Sequence, residues 1–451
     1  MYHFQASQWG PQTFRHLNSL RSTMSSTTEA QVHVIDKSNN TIHTTLTVSE
    51  TQLPNLSSNS IRVRPALISL TANNLTYARF GSAYGWWAAF PIPSNLPAPY
   101  NDSSRFGTVP VWGYGEIVES KVEALKPGQL IWGYWPATSL PVVLELEALE
   151  PKGHYYDISE HRKALWSIYQ RYQVRDSNLR LKDLSQVELE QKAWETIFRP
   201  VWECGFDIDQ FLFSEQHVHP LGKNGGVWTA EDADLSQAVV ISLSASGKTA
   251  RSYNDSCLNN RKPEAGPLGF VAVTSKVDGS LLTSKTTTST RTVAYAESSS
   301  NETLSFISSK QPSKIVIVDF GGRDNSLSTL LSTLSSHPQL SPAKTLIIGC
   351  GGEPKVTTSA EDLGKYLATL RVPGKIQMNT SDVREAAIGK LGAASYFEVL
   401  EEGWKGFVER ENMKGLKLEL RNGVEAFEAG WTKLCEGRGA EVDGMAFRLD
   451  Q

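Results

Sequence analysis

The chain has 451 residues, of which 40% are hydrophobic and 20% charged, and its formal net charge is −4. This composition is that of an ordinary globular protein, and the length predicts two to four conventional domains. The small net charge indicates neither nucleic-acid binding nor a membrane surface, and no apolar run approaches the roughly 20 residues that span a bilayer.

The first residues are polar and carry little acid. Residues 1–29 contain Arg15 and Arg21, many Ser and Thr, and no acidic residue before Glu29. This pattern resembles a weak mitochondrial presequence, but we favour a disordered leader, with Met24 as an alternative start. We therefore expect a cytoplasmic protein, with a mitochondrial location as the alternative.

Alternating strand patterns follow the leader. Residues 31–48 predict a hairpin around a polar turn, and residues 60–68 predict another strand. Residues 69–93, rich in polar and aromatic side chains, predict a loop and short helix that line a site. Residues 109–136 predict two strands with a Gly113-x-Gly115 corner and a Lys-Pro-Gly turn, which are marks of a small β-barrel.

The middle of the chain turns helical. A run from residue 159 to 172 has apolar residues at helical spacing, and helices are expected at 186–198 and 200–213, the latter leading into a second domain. His161 and Arg162 open the first run and could contact a substrate. A structural role is the favoured interpretation for both.

From residue 238 onward the pattern alternates between strands and helices, which predicts a parallel sheet. Residues 279–292 predict a loop, and 353–390 a loop with a short helix. Residues 390–405 predict a helix, and 407–427 a helix that packs back on the barrel. The five expected strands are 238–244, 268–274, 292–295, 314–320 and 345–349.

The stretch AVVISLSASGKTA, residues 238–250, is the candidate phosphate-binding loop. A buried strand ends there in small residues and a helix start, whose free backbone N–H groups favour an anion. The fingerprint G-x-G-x-x-G retains only one glycine, and the P-loop pattern fails at Ser242, so an ordinary strand–turn–helix corner stays open. The candidate ligands of the phosphates are Ser244, Ser246, Gly247, Lys248 and Thr249.

The end of the second expected strand bears on the choice of cofactor. An acidic residue there would favour a free ribose 2′-hydroxyl, but this chain has Thr274, Ser275 and Lys276. Hydrogen bonds and a positive charge suit a 2′-phosphate, so Ser275 and Lys276 predict NADP(H) rather than NAD(H). An exposed lysine at a strand end is the alternative.

Glycines also end the fourth and fifth expected strands. Gly321 and Gly351 would lie at the carboxyl edge of the sheet, where a crevice ligand binds, with Asp319 and Cys350 on the same rim. Cys350 lacks a credible base nearby and is interpreted as mainly structural. The four cysteines form no C-x-x-C pair, which indicates buried thiols rather than disulfides or a metal site.

The barrel pattern, the G-x-G-E-x-V stretch and the Lys-Pro-Gly turn before a hydrophobic strand resemble the GroES-like catalytic domain of the medium-chain dehydrogenase/reductase superfamily. The strings TANNLTYARFG, VPVWGYGEIVES, SASGKTA and VDFGG resemble a divergent, functionally uncharacterised branch, closer to zinc-free quinone and enoyl reductases than to zinc alcohol dehydrogenases. The absence of Cys before Cys204 makes zinc chemistry unexpected.

The resemblance covers about residues 30–450 and implies an α/β fold with a GroES-like β-barrel and a Rossmann-type doubly wound parallel sheet. It also implies a homodimer as one assembly. The expected organisation is a leader at 1–29, a barrel domain with a helical insertion at 30–205, a Rossmann-like domain at 206–385, and a segment returning to the barrel at 386–451.

The resemblance suggests proton donors in the loop at residues 71–87. Asn74, Tyr77 and Tyr84 are the candidates, because similar enoyl reductases place a Tyr in a Gly-x-Tyr-Gly position near the substrate carbonyl. The stretch GSAYG puts Tyr84 close to that pattern, and a phenol can donate to a developing enolate oxygen. Aromatic residues could wall a pocket or form the core: Trp86, Trp87, Trp112 and Trp135.

Three functions remain open. The first is an NADP(H)-dependent reductase that acts without zinc on an activated C=C or C=O bond of a small, hydrophobic or polyketide-like metabolite. The second is a non-redox isomerase, dehydratase or cyclase on the same scaffold, supported by the serine-substituted loop. The third is a non-catalytic binding protein.

Overall fold

The computed structural model describes residues 29–50, 55–175, 180–275, 277, 281–282, 287–353 and 355–450. The predicted leader, apart from Glu29, and the candidate Lys276 lie outside these residues.

The first part of the chain contains short antiparallel strands and a long helix. The elements are β1 (Glu29–Asp36), β2 (His43–Ser49), β3 (Ser60–Leu70), α1 (Asn73–Arg79), β4 (Phe106–Gly107), β5 (Pro110–Ser120), β6 (Leu130–Pro136), β7 (Val142–Leu149), β8 (His154–Asp157), β9 (Arg171–Gln173) and α2 (Gln186–Asp207).

These strands form a closed barrel with a small sheet beside it. The barrel runs in the order β3-β5-β6-β9-β8-β7, and pairing of β7 with β3 closes it. β1 pairs with β2 as the predicted hairpin and with β4 on its other side. Closure stabilises short antiparallel strands by pairing their edges, although β7 covers only residues 60–63 of β3 and leaves the second half of β3 open to another strand.

The second part alternates strands and helices, as predicted. The elements are α3 (Ala230–Ala233), β10 (Ala238–Leu243), α4 (Lys248–Asn259), β11 (Gly269–Thr274), β12 (Ser289–Ala294), α5 (Asn301–Ser308), β13 (Lys314–Asp319), α6 (Ser326–Ser336), β14 (Lys344–Gly349), α7 (Ala360–Thr369), β15 (Lys375–Gln377), α8 (Thr380–Leu391) and α9 (Ala393–Glu409).

The strands of this part form one parallel sheet in the order β12-β11-β10-β13-β14-β15. That is the doubly wound dinucleotide-binding order, with the chain reversing direction across the sheet beside β10. Alternate residues of β10 point to opposite faces: Val239 and Ile241 join the core on one face, and Val240 the core shared with the barrel. The predicted fold class is confirmed.

The chain then returns to the barrel. The last elements are β16 (Leu418–Asn422), α10 (Val424–Cys435) and β17 (Gly444–Arg448). β17 pairs antiparallel with β3, and β16 pairs parallel with β17, so both extend the barrel sheet. None of the helices that the structure describes combines the length and the hydropathy of a membrane-spanning segment.

Two predicted helices are wrong. Residues 159–172 form two short 3₁₀ turns and β9, because Arg162 is fully buried in an ion pair with Asp157 and donates to the carbonyl of Tyr169. The predicted helix at 407–427 contains β16, whose alternation of charged and apolar residues has the period of a strand. Residues 353–390 contain two helices and a sixth parallel strand, β15, which the prediction missed.

Helix α2 joins the two parts and supports the next helix. A capping box of Ser185 and Glu188 fixes its start. The sequence predicted two helices that separate near Pro200, but a single helix continues through this residue. α2 crosses α4 at Gly205, where an added Cβ would lie 2.2 Å from the carbonyl oxygen of Thr249. Only glycine permits this approach, so α2 determines where the first turn of α4 lies.

Candidate functional site

A cleft of about 290 Å³ lies between the barrel and the carboxyl edge of the parallel sheet. The sheet contributes the loops that follow β10 to β14, and the barrel contributes the turn from β3 into α1. The lining residues are Thr71, Ala72, Asn73, Thr76, Val201, Ser244, Ser246, Gly247, Lys248, Thr249, Ser275, Tyr295, Phe320, Gly321, Arg323, Cys350, Gly351 and Gly352. These described lining residues include two cations and no carboxylate.

The loop after β10 opens into this cleft. Gly247 is the N-cap of α4 and has extended backbone angles, so the first turn of the twelve-residue helix begins at Lys248. The carbonyl of Gly247 accepts from the N–H of Arg251, whereas the N–H groups of the first turn have no helical partner. Such a turn is a site for a phosphate group.

Lys248 stands in the same turn and is half-buried at the cleft. Among the described residues its ammonium makes no ion pair. Burial, assisted by the positive charge of Arg251, lowers the pKa of Lys248 to about 8, and Asp443 opposes this shift. A desolvated ammonium without a partner favours a bound anion.

The other side chains of the loop brace it. Ser244 adopts a left-handed φ of 60°, and its Oγ donates to the carbonyl of Gly321 at 2.7 Å and lies 2.7 Å from the Tyr295 hydroxyl. The Oγ of Ser246 accepts from Thr274 at 2.9 Å. The substituted serines therefore tie the loop to the ends of three neighbouring strands, a function that the small-residue pattern did not reveal.

Ser275, Tyr295 and Arg323 continue the cleft into an adjacent shallow groove that Asp324 also borders. Arg323 is exposed, and no ion pair to it occurs in the described part of the chain. It follows directly after the glycines of the predicted fourth strand, which is the signal that could have identified it. The prediction missed both Arg323 and Tyr295.

The glycines after β13 and β14 allow two loops to meet. Gly321 has a φ of 98°, and a Cβ there would lie 2.7 Å from the backbone of Gly352. Asp319 lies below this contact: its Oδ1 accepts from the N–H groups of Gly321 and Gly322, and its Oδ2 pairs with Lys375 at 3.2 Å. Asp319 therefore shapes the rim and does not face the cleft, which has a different lining.

The barrel side of the cleft is polar. Asn73 is half-buried, and its side-chain amide donates to the hydroxyl of Tyr77 at 2.8 Å, while Thr71 and Thr76 line the cleft beside it. Tyr77 is buried in an aromatic cluster and also accepts from the Trp112 indole at 3.0 Å. Burial raises the pKa of Tyr77 to about 12, although these two hydrogen bonds oppose the shift.

The three predicted donors lie outside the lining of the cleft. Asn74 is buried and holds the start of α1, accepting from the N–H of Thr71 and donating to the carbonyl of Pro110. Tyr77 is linked to the cleft by the hydrogen bond that its hydroxyl accepts from Asn73. Tyr84 is 42% exposed and packs on Trp166 with ring centroids 4.8 Å apart. The structure thus assembles the predicted phosphate loop at the cleft but not the predicted donors.

The aromatic residues expected to wall a pocket or form the core are core residues: Trp86, Trp87, Trp112 and Trp135. A separate cavity of about 360 Å³, mainly apolar, lies where the hairpin meets the barrel and includes His161 in its lining. It is remote from the loops that follow the parallel strands. Arg162 has the structural role that was favoured for it.

Two cysteines meet at the other end of the cleft. Cys350, which lines the cleft, has its sulfur 3.1 Å from that of Cys204 on α2, and the Thr380 hydroxyl donates to Cys204 at 2.7 Å. These hydrogen bonds lower the pKa of Cys204, and donation to Cys204 together with burial raises that of Cys350. Within the described ranges, no three His, Cys, Asp or Glu side chains cluster as a metal site requires.

A family model described as "Protein of unknown function (DUF2855)" matches residues 68–440. No curated protein sequence matches the chain. The family match agrees with the divergent, uncharacterised branch that the sequence motifs predicted.

Solved structures with a similar fold include the mitochondrial 2-enoyl thioester reductase Etr1p/Etr2p heterodimer from Candida tropicalis, at 10% identity and a TM-score of 0.51, covering 93% of this chain and 100% of that one. The apo-structure of a double mutant of Etr1p has 11% identity and a TM-score of 0.50, with the same coverage. CurA in complex with NADPH from Vibrio vulnificus has 10% identity and a TM-score of 0.49, covering 93% and 99%. At these identities, the likeness to the two Etr1p structures establishes the fold alone.

Proposed function

The chain belongs to the family described as DUF2855, and we propose that it is an NADP(H)-dependent oxidoreductase. It reduces an activated C=C or C=O bond of a small, hydrophobic or polyketide-like metabolite without zinc. The observation that carries the proposal is the first turn of α4 with Lys248, which opens into a cleft lined by cations and no carboxylate among the described residues.

The loop after β10 suits a pyrophosphate. The unpartnered N–H groups of Lys248 and Thr249 and the Lys248 ammonium are the donors that two phosphates need. Space is available beside them, because a Cβ on Gly351 would meet no atom within 4 Å. Gly321 and Gly351 border the place where the cofactor would cross the sheet edge.

The groove beside Ser275 suits a ribose 2′-phosphate. Arg323 can bind a phosphate with two parallel N–H groups, and Ser275 offers a hydroxyl at the end of β11. Lys276 follows in the sequence and stays a predicted ligand. Asp324 borders the same groove, so a preference for NADH would assign the groove to a free 2′-hydroxyl instead.

NADPH would supply the hydride, and the chain supplies position and a hydrogen-bond donor. Asn73 has two amide hydrogens, one of which is directed to the Tyr77 hydroxyl, so the other is available to a substrate oxygen in the cleft. Tyr77 is then a positioning residue. Tyr84 and Asn74 stay predicted donors, to be tested beside Asn73.

The fold supports the choice of substrate class. The Candida tropicalis protein with which this chain shares its fold is named as a 2-enoyl thioester reductase, and an enoyl thioester contains an activated C=C bond. A medium-chain reductase fold hosts several chemistries, so this support is analogy. The same protein is a heterodimer, and the expected homodimer of this chain would be tested by light scattering.

One observation favours the second function, a non-redox isomerase, dehydratase or cyclase. Ser244 stands where a glycine is expected, and its hydroxyl lies within hydrogen-bond distance of the Tyr295 hydroxyl at the sheet edge. This contact occupies space that glycine would leave to a cofactor. An enzyme that had lost its nicotinamide would tolerate the contact without further change.

Thermal denaturation with and without NADPH separates these functions. A ligand that binds only the folded state raises the free energy of unfolding by about 2.7 kcal/mol at a hundredfold excess over its Kd. We expect a saturable rise in melting temperature with NADPH, followed by NADPH oxidation with α,β-unsaturated ketones and enoyl thioesters. An unchanged melting temperature at millimolar NADPH would refute the proposal, and turnover without nicotinamide would establish the second function.

A further inference from the structure

We propose that Cys204 and Cys350 are a thiol pair at one end of the cleft that forms an intramolecular disulfide, with a low-molecular-weight disulfide as oxidant. Their sulfur atoms lie 3.1 Å apart although 146 residues separate them in sequence. Cys204 lies on α2, and Cys350 lies in the loop after β14. The bond would therefore join the helix that supports α4 to a loop that lines the cleft.

The surroundings of the pair favour a reactive sulfur. Thr380, the first residue of the twelve-residue helix α8, donates its hydroxyl to Cys204 at 2.7 Å, and the positive end of that helix faces the same sulfur. Cys350 is 9% exposed and borders the open cleft, so a small disulfide can reach it. Glu203 is the nearby charge that opposes ionisation of Cys204.

The reaction balances with one added reagent. The Cys204 thiolate takes the proton of Cys350, and the Cys350 sulfur attacks the disulfide RS–SR, releasing RS⁻. Cys204 then loses that proton to RS⁻ and attacks the Cys350 sulfur, which releases the second RS⁻. The second RS⁻ takes up, through solvent, the proton that Cys204 released when it formed its thiolate. The protein therefore loses two electrons and two thiol hydrogens in total, and the small disulfide is reduced to two thiols.

Bond formation would change the cleft. The sulfurs must approach from 3.1 Å to about 2.0 Å, which draws the Cys350–Gly352 loop towards α2. The backbone of Gly352 lies against Gly321, so this movement would also displace the loop that contains Gly321. Displacement of about 1 Å can reduce turnover by roughly a hundredfold. This consequence for catalysis rests on the proposed function, whereas formation of the disulfide does not.

The other two cysteines provide an internal control. Cys257 is 1% exposed, and burial raises its pKa to about 12. Burial also raises the pKa of Cys435 to about 12. Neither is paired with another sulfur in the described part of the chain, so both should keep their thiols under mild oxidation.

The test treats the full-length reduced protein with oxidised glutathione, removes the reagent, alkylates the free thiols and maps them by mass spectrometry. We expect two of the four thiols to be lost, and the mass of the protein before alkylation to fall by two hydrogen atoms with no glutathione attached. Peptide mapping should give a disulfide-linked pair that contains Cys204 and Cys350 and that dithiothreitol separates. Four intact thiols, a stable glutathione adduct on wild-type Cys350, or a link involving Cys257 or Cys435 would overturn the proposal.

Two variants and a ligand sharpen the result. Cys204→Ser should keep its three remaining thiols, because it lacks both the thiolate that takes the proton of Cys350 and the thiol that would resolve an adduct, whereas Cys257→Ser should still form the disulfide. Loss of thiols from Cys204→Ser with a native melting curve would contradict the proposal, and the wild-type mapping decides alone if this variant does not fold. NADPH should slow oxidation by occupying the cleft. Oxidation at an unchanged rate would count against the proposed function, but it would not contradict formation of the disulfide.

Discussion

Replacement of Lys248 tests the phosphate site directly. The ammonium makes no ion pair among the described residues and lines the cleft at the start of α4, so Lys248→Ala should leave the fold intact and remove one charge-assisted hydrogen bond to the pyrophosphate. Such a bond contributes about 1.5–3 kcal/mol. We therefore expect the Kd for NADPH, measured by fluorescence titration, to rise by roughly 10- to 150-fold.

The pH dependence gives a sharper signature of the same group. Because the pKa of Lys248 is about 8 in the free protein, the ammonium that attracts the phosphates is present below pH 8 and is lost as the pH rises through it. NADPH affinity should fall between pH 7.5 and 9.5 by up to about tenfold per unit of pH, until the higher pKa of the bound state is reached. Asp443 and Arg251 are the charged groups that act on Lys248.

Two variants control this experiment. Lys248→Arg keeps its charge throughout the range and should bind NADPH without the fall at alkaline pH. Lys405→Ala removes a 77% exposed lysine that pairs with Glu409 on α9, away from the cleft, and should behave as the wild type. Unchanged NADPH affinity in Lys248→Ala, or an equal alkaline fall in Lys248→Arg, would refute the assignment.

Three further predictions follow from the same geometry. Arg323→Ala should weaken NADPH binding about tenfold and leave NADH binding nearly unchanged, since the lost contact is to the 2′-phosphate; equal effects on both cofactors would argue against that contact. Asn73→Ala should lower kcat about a hundredfold with little effect on the Kd for NADPH, and a larger loss in Tyr84→Phe would return the donor role to that phenol. Arg162→Met should destabilise the fold by about 3–5 kcal/mol in urea denaturation, because it leaves the fully buried Asp157 carboxylate without its partner; a change under 1 kcal/mol would be inconsistent with the ion pair at 3.0 Å.

Local sequence patterns were sufficient for most of the fold. The strands of the parallel sheet are buried on both faces, so they appear as short apolar runs that end in glycines and small residues. The hairpin and barrel strands show alternation and turn residues. Because these signals depend on neighbours in sequence, the hairpin, the first three barrel strands β3, β5 and β6 and five of the six parallel strands were predicted with nearly the observed bounds, whereas β7 and β8 were not predicted.

The errors arose where distant contacts decide the structure. The apolar spacing at 159–172 satisfies a helix, but the buried pairing of Arg162 with Asp157 and the strand β9 hold the segment in another form. β17 becomes a strand because residues 67–70 of β3 offer an edge to pair with, which no local pattern reveals, and β16 pairs with β17 in turn. Tertiary pairing overrides local propensity at 159–172, whereas the alternation in β16 has the period of a strand and was misinterpreted.

The candidate site divides in the same way. The loop at Ser244–Thr249 is continuous in sequence and was recognised from its small residues and single lysine. The rest of the site combines residues from different elements: Asn73, Arg323, and Cys350 in contact with Cys204. The proximity of these residues could not be predicted from their spacing in the sequence. The side-chain direction within α1 is equally invisible in sequence: Asn73 reaches the cleft, whereas Asn74 turns into the core.

A crystal structure with NADPH soaked at millimolar concentration tests the central claim most directly. We expect the pyrophosphate at the N–H groups of Lys248 and Thr249, the 2′-phosphate beside Ser275 and Arg323, and the nicotinamide ring near Asn73. An empty cleft at that concentration, or a nucleotide bound at another place on the surface, would contradict the proposed cofactor site.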